Sequence, residues 1–112
     1  MRIMECGPDA ARDVADYGSR GLRALGVVRH DGFRVDVLHV SAGGHVGHHP
    51  AVGDQLFLVV SGRGEVCGED GVWQPITAGQ AAVWSAGERH GTRAEEPLVG
   101  VVVEAAALRL VR

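Results

Sequence analysis

Lysine and asparagine are absent from this sequence, and aromatic residues are rare, with two Trp, two Phe and one Tyr among 112 residues. Arginine is therefore the only basic residue besides histidine, and the net charge is −3 at pH 7. No segment concentrates basic side chains, so the electrostatic footprint of a nucleic-acid-binding protein is missing. We attribute the lack of Lys and Asn to a coding bias, and we predict no nucleic-acid partner.

Cysteine is nearly absent too, because Cys6 and Cys67 are the only two. Two cysteines do not make a disulfide framework, so we expect free thiols in a reducing, cytoplasmic compartment. The N-terminus lacks the continuous apolar segment of a signal peptide. No run of about 18 apolar residues occurs, so no membrane span is predicted. The 17 glycines form no Walker or dinucleotide motif and are typical of tight turns.

Short apolar runs separated by glycine-containing turns fill the rest of the chain. Residues 33–40 alternate in polarity, while residues 55–60 form a continuous apolar run suited to a buried strand. About eight to ten short strands with almost no helix predict a single all-β domain, a sandwich or closed barrel with an open mouth for one small ligand. The predicted strands are residues 2–6, 22–29, 33–40, 55–60, 65–68, 72–77, 79–84, 98–104 and 107–111.

Two segments carry no strand prediction. Residues 8–20 are polar and open with Pro-Asp, which predicts a loop with one helical turn. Residues 41–54 form a connection rich in Gly and His. Residues 1–21 are thus predicted to be an N-terminal strand and loop that belong to the same domain as the barrel at residues 22–112.

Histidines are the main candidate ligands. His45, His48 and His49 lie in one segment, and His90 follows some forty residues later. Neutral imidazole is the commonest protein metal ligand, and a barrel can bring distant strands together. Gln55 has the same parity as His49 on an extended strand, so both could point inward if no turn intervenes.

The same residues carry a resemblance to the cupin family. The first cupin motif is Gly, five residues, His, one residue, His, three or four residues, Glu, six residues, Gly. The chain matches this spacing in full, with Gln in place of Glu and Ala in place of the second His. The matching positions are Gly43, His49, Ala51, Gln55 and Gly62.

The second cupin motif is Gly, five residues, Pro, one residue, Gly, two residues, His, three residues, Asn. The chain supplies Gly79, Ser85, Gly87, His90 and Ala94 at these positions, so Pro and Asn are replaced. Both motifs occur in the family order over residues 43–94. The resemblance therefore implies a cupin-type double-stranded β-helix, or jelly-roll, barrel.

In cupins the motif histidines and glutamate bind a divalent metal, so the resemblance implies a site at His49, Gln55 and His90. Fe, Mn, Ni and Zn are not distinguished by this pattern. His45 or water would complete the shell in place of the missing histidine, and His45 suits this role better than His48, which has the opposite strand parity. The alternative is a hydrogen-bonded polar cluster without metal, because Gln offers only an uncharged oxygen.

Three further residues are candidates for the pocket wall. His39 shares a strand face with Phe33, Val35 and Val37, and would reach the pocket if that face lines the barrel. Phe57 and Trp84 are expected to pack in the core, or alternatively to stack on a ligand. Half-buried, hydrogen-bonded histidine is the simpler interpretation of His39.

The sequence and the resemblance leave two functions open. One is a metal-dependent enzyme, such as an oxygenase, isomerase or cyclase, acting on a small oxygen-bearing metabolite. The other is a metal-free cupin that binds a ligand for sensing, or that serves a partner protein. Both predict a small-molecule ligand, no membrane partner and, by resemblance, a homodimer.

Overall fold

A computed structural model describes all 112 residues and consists almost entirely of β-structure, which confirms the all-β jelly-roll prediction. No helix in it is long and apolar enough to cross a bilayer. Two short 3-10 turns, Pro8–Ala10 and Asp16–Gly18, flank the first strand. The nine strands are β1 Arg12–Val14, β2 Arg20–His30, β3 Phe33–Pro50, β4 Asp54–Ser61, β5 Arg63–Cys67, β6 Gln74–Thr77, β7 Ala81–Trp84, β8 Arg89–Ala94 and β9 Leu98–Ala105.

Strand β3 joins the two halves of the barrel because it is 18 residues long. Its first half pairs with β2 and β9, and β9 continues the sheet through β4 to β7. Its second half pairs with β8, followed by β5 and β6. Gly44 lies at the junction, where a Cβ would stand 2.8 Å from the carbonyl oxygen of Arg20. Glycine thus allows the backbones of β2 and β3 to approach where β3 changes partners.

Three predicted strand boundaries were wrong. Residues 2–6 form no strand, and the first strand lies at β1 instead, inside the segment predicted to be a loop. Residues 107–111 are irregular. The Gly/His-rich segment continues β3 as far as Pro50, since β8 supplies hydrogen-bonding partners that local sequence does not reveal.

The apolar core fills the inside of the barrel and reaches the histidines at Trp84, whose ring centroid is 4.5 Å from that of His90. Its largest fully buried side chains are Phe57, Leu98, Val40 and Val59. Gly100 lies directly beneath Phe57, where a Cβ would be 2.1 Å from the ring. The packed core therefore fixes the position of the Phe57 ring along the barrel axis. The cavity of the barrel mouth lies above this ring.

Candidate functional site

A cavity of about 300 Å³ occupies the barrel mouth, and it is lined by His49, Gln55, Phe57, Trp84 and His90 among others. The structure therefore places five of the predicted site residues around one space. Phe57 and Trp84 are 1% and 5% exposed, so they form the floor rather than an open wall.

His49 and His90 are directly opposed on β3 and β8, and their ring centroids are 4.4 Å apart. A β-bulge between Val46 and His49 turns His49 inward. The Nδ1 atom of His49 donates to the Gly47 carbonyl at 2.8 Å, and Nδ1 of His90 donates to the Glu88 carbonyl at 3.2 Å. In the tautomer that each of these bonds selects, Nε2 is the ring nitrogen without a proton, which is the arrangement that metal-ligating histidines show.

Burial lowers the pKa of His90, and the neighbouring His49 lowers it further, against the opposing effect of its bond to Glu88. Only 3% of His90 is exposed, with Trp84 4.5 Å away between ring centroids. A neutral His90 keeps the lone pair that a metal or a ligand donor would use.

Tyr17 covers His49 from the N-terminal side of the barrel. The two rings stack with centroids 4.4 Å apart and an interplanar angle of 7°. Tyr17 is the only non-glycine residue with positive φ, at 57°, and its carbonyl oxygen packs on Gly47, where a Cβ would be 1.8 Å away. Tyr17 could not be predicted from the sequence, because a lone tyrosine in a polar loop gives no signal of its position over β3.

Gln55 donates from Nε2 to Oε2 of Glu104 at 2.7 Å. The two residues are directly opposed on β4 and β9. The carboxylate missing from the cupin motif position is thus present one strand away. The cupin motifs do not include Glu104, although its parity with the buried Val102 on β9 was a usable signal.

An ion-pair cluster occupies the β2–β3 wall of the same cavity. Asp36 is buried, and its two oxygens each accept one bond of 2.7 Å, from Nη1 of Arg29 and Nη2 of Arg34. The bond to Asp36 raises the pKa of Arg34, opposed by burial and supported by the charges of Asp36 and Glu104. These residues were also missed, since two exposed-looking arginines on a hairpin resemble solvated surface.

His39 does not line the cavity. The inward face of β3 carries Arg34, Asp36 and Leu38, and His39 lies on the outer face with its Nε2 2.9 Å from the Cys6 carbonyl. The conditional assignment to the pocket was therefore wrong. The physical reason is that the inner face of this part of β3 holds the ion-pair cluster, whereas its apolar residues lie on the outer face. A strand of a barrel usually has the opposite arrangement, with apolar residues inside and polar residues outside.

His45 and His48 also lie outside the cavity. Nε2 of His45 is 2.9 Å from the Gly18 carbonyl, and Nε2 of His48 is 2.7 Å from Sγ of Cys67. Strict alternation gives His45 the parity of His49, but the bulge before His49 breaks that alternation. His45 is thus not placed to complete a metal shell. Cys6 and Cys67 are both free.

No three His, Cys, Asp or Glu side chains are grouped closely enough to hold a metal ion by themselves. The cavity-lining residues that carry donor atoms suited to a metal are His49, His90, Gln55 and Glu104. Two imidazoles of the correct tautomer and one amide oxygen suit a borderline divalent cation better than a hard one.

Comparison with known proteins agrees with this architecture. The cupin domain family model matches residues 36–104, more than half of the sequence. The chain therefore belongs to the cupin family. No curated protein matches it in sequence.

Solved structures show the same fold. A predicted oxalate decarboxylase from Thermotoga maritima has a TM-score of 0.79 at 19% identity, with 91% of this chain and 98% of that chain covered. The polyketide cyclase RemF from Streptomyces resistomycificus has a TM-score of 0.78 at 18% identity, covering 95% and 81%. KdgF from Halomonas sp. has a TM-score of 0.72 at 26% identity, covering 85% and 86%.

Proposed function

We propose that this chain binds a small polar organic molecule in the barrel mouth, against the facing imidazoles of His49 and His90. The observation that carries the proposal is the pair of imidazoles, 4.4 Å apart between ring centroids and both bonded to backbone through Nδ1, that line a cavity of about 300 Å³. That volume lies at the lower end for ligand sites, so the molecule is a small metabolite. The similarity to structures named as a decarboxylase and a cyclase supports a small-molecule role.

We further propose that one divalent cation is held between His49 and His90, with the Oε1 atom of Gln55 as third donor. The tautomers of both rings suit ligation, and Nε2 of Gln55 is engaged by Glu104, which leaves its Oε1 free. The donor set is uncharged, so the cation is held more weakly than by a histidine and carboxylate shell. When bound, such a metal acts as a Lewis acid toward an oxygen-bearing substrate.

The chain's own residues have definable roles around that substrate. Tyr17 covers the outer side of His49 and limits the entry of water from that side. Glu104 keeps Oε1 available to accept a hydrogen bond from a substrate hydroxyl or to take up its proton. Trp84 and Phe57 provide the apolar floor against which the substrate rests.

A second candidate function, a metal-free ligand-binding cupin, is favoured by a separate observation. No three ionisable or thiol ligands are grouped in the structure, and the motif glutamate is Gln55. In this case the two imidazoles would donate or accept hydrogen bonds directly with the ligand, and the domain would act as a sensor or carrier.

Elemental mass spectrometry on untagged protein purified without added metal separates these functions. The metal-dependent function predicts close to one equivalent of a single metal, lost in His49→Ala and retained in His48→Ala. His48 is the matched control because it is adjacent in sequence but faces Cys67 outside the cavity. Absence of metal from correctly folded wild-type protein would reject the metal site and favour direct ligand binding.

We also propose a homodimer formed through the outer face of the sheet. Directly paired residues in neighbouring strands build continuous apolar rows, one of which runs Leu25, Val37, Val101, Leu58 and Ala81. Leu58 on β4 and Val83 on β7 are 38% and 45% exposed. An uncharged face of this kind can meet its own copy without charge repulsion, and exposed apolar patches mark interaction sites.

Light scattering coupled to size-exclusion chromatography tests the dimer. Wild-type protein is expected to elute as a dimer, and Leu58→Arg is expected to be monomeric because it places a charge within the apolar face. Arg63→Glu, on a strand outside this face, should stay dimeric. A monomeric wild-type protein at micromolar concentration would reject the proposal.

A further inference from the structure

The wall of the cavity formed by β1, β2 and β3 carries three arginines, one on each strand. These residues, Arg12, Arg29 and Arg34, line the cavity together with three carboxylates, those of Asp16, Asp36 and Glu104. The charges of these six residues cancel. The positive and negative groups nevertheless lie in different parts of the cavity, and their positions indicate which charged and polar groups a ligand must carry.

The positive end is the cluster on β2 and β3. Asp36 accepts from both Arg29 and Arg34, so two guanidiniums share one carboxylate and one positive charge is left over. Asp36 is 9% exposed at its side chain, whereas Arg29 and Arg34 are 54% and 48% exposed. The buried carboxylate holds the two guanidiniums in place, and both arginines line the cavity.

Both arginines keep donors that bind nothing in the protein. Nη1 of Arg29 contacts Asp36 and the carbonyls of Val28 and Val35, but its Nε and Nη2 make no hydrogen bond. Arg34 uses only Nη2. Each guanidinium has five N–H donors in a planar fork that suits carboxylate and phosphate oxygens.

The negative end is Glu104, which is opposed to Arg34 in register on the neighbouring strand. Despite this proximity, Glu104 does not pair with Arg34 and instead accepts from Gln55. The space between Arg34 and Glu104 therefore offers free donors on one side and a free acceptor on the other. A ligand with an anionic group next to a hydroxyl satisfies both sides.

We infer that the molecule bound in the barrel is a small organic anion, a carboxylate or a phosphate monoester, whose anionic group is bound by Arg29 and Arg34 and whose adjacent hydroxyl donates to Glu104. This inference rests on the proposed small-molecule function and specifies the chemical class of its ligand. It also orients the ligand, with the anionic group on the β2–β3 wall and the hydroxyl toward Glu104 and the histidines.

Isothermal titration calorimetry at matched ionic strength tests the inference with four probes: malate, succinate, the neutral malamide and inorganic phosphate. Malate is expected to bind more tightly than succinate, which lacks the hydroxyl, and malamide is expected not to bind. Comparing the affinity of wild-type protein for phosphate with its affinity for malate shows whether the site prefers a phosphate or a carboxylate group. Malamide binding as tightly as malate would overturn the inference.

Arg34→Gln is expected to weaken malate binding roughly tenfold or more, as for loss of a charged hydrogen bond. The Gln amide can still donate to Asp36, so the buried carboxylate is not left alone. Arg34→Lys, which keeps the charge, is expected to lose less affinity and serves if Arg34→Gln does not fold. Arg63→Gln is the matched control, because Arg63 pairs with Glu95 and Glu96 away from the cavity.

A failure of the anionic-ligand inference can be distinguished from a failure of the proposed cavity function. Neutral ligands that bind to wild-type protein but not to His49→Ala would leave the proposed cavity function intact and reject only the anionic class. Malate binding that is equal in wild type, Arg34→Gln and His49→Ala would place the ligand outside the barrel and reject both.

Discussion

Gln55 on β4 donates to Glu104 on β9 at 2.7 Å, so the carboxylate of this cupin site lies one strand away from its motif position. The bond joins an amide and a carboxylate that are directly opposed in the sheet. Both residues line the cavity. Because Nε2 of Gln55 is bonded to Glu104, Oε1 of Gln55 is the amide atom that is free for another partner.

Exchanging the two residues tests this relationship. Gln55→Glu places two carboxylates side by side, and we expect it to destabilise the metal-free protein by roughly 1–2 kcal/mol because like charges and the lost bond both act against folding. The same variant should show the largest rise in Tm on adding Zn²⁺. The double variant Gln55→Glu/Glu104→Gln restores an amide–carboxylate pair and should recover most of the stability, whereas additive losses in the double variant would contradict the pairing.

Gly47→Ala is expected to detach Tyr17 from His49. A Cβ at residue 47 would meet the Tyr17 carbonyl, so the turn Asp16–Gly18 must move. We expect faster hydrogen exchange at residues 16–20 and a loss of about 1–3 kcal/mol, as for overpacking. Gly7→Ala is the control, because nothing lies within 4 Å of a Cβ there. Unchanged exchange in Gly47→Ala would show that the turn is not held by this contact.

Gly26→Ala is expected to weaken ligand binding together with the ion-pair cluster. A Cβ at residue 26 would stand 2.6 Å from Nη2 and 3.0 Å from Cζ of Arg29, so the guanidinium must shift. The displaced guanidinium should bind malate several-fold more weakly, and the apparent Tm should fall modestly because the bond from Nη1 of Arg29 to the buried Asp36 is disturbed. Calorimetry beside a thermal melt measures both, and unaltered malate affinity would argue against a role for Arg29.

Gly100→Ala is expected to disrupt the floor of the cavity. The added methyl would lie 2.1 Å from the ring of Phe57, which is 1% exposed and has no space to shift. We expect a loss of about 3 kcal/mol or more, at the upper end for overpacking of a core. Urea unfolding provides the measurement. The double variant Gly100→Ala/Phe57→Leu should recover part of the loss, since the shorter side chain makes room.

Asp54 is expected to make stability depend on acid pH. Its carboxylate accepts from the backbone N–H groups of Leu108 and Ala86, each at 3.0 Å, and these bonds hold its pKa below the usual value. A carboxyl whose native pKa is lowered stabilises the fold above its unfolded pKa of about 4, and this contribution disappears as pH falls through the native pKa.

Thermal melts of wild type and Asp54→Ala between neutral and acid pH measure this contribution. The difference in Tm should be largest near neutrality and should shrink below about pH 4. Asp9→Ala is a suitable control, because its carboxylate forms no ion pair and lies in an exposed turn. A difference that is constant with pH would mean that Asp54 acts without its charge.

The sequence by itself determined the fold and the principal pair of the site. The resemblance to the two cupin motifs over residues 43–94 implied that His49, Gln55 and His90 come together, and all three line the cavity at the barrel mouth. Apolar runs identified Phe57 and Trp84 as core. The core assignment depends on a local pattern that one strand and its adjacent turns contain, whereas the site depends on the spacing of two distant motifs.

Only the tertiary structure decided which other polar residues face the cavity. The bulge before His49 excludes His45, and the inverted polarity of β3 excludes His39 while admitting Arg34 and Asp36. Tyr17 and Glu104 join the site through pairing and packing between segments far apart in sequence. Strand parity counted along one strand cannot predict these outcomes, because a bulge changes the parity, and partner strands determine which face is inside.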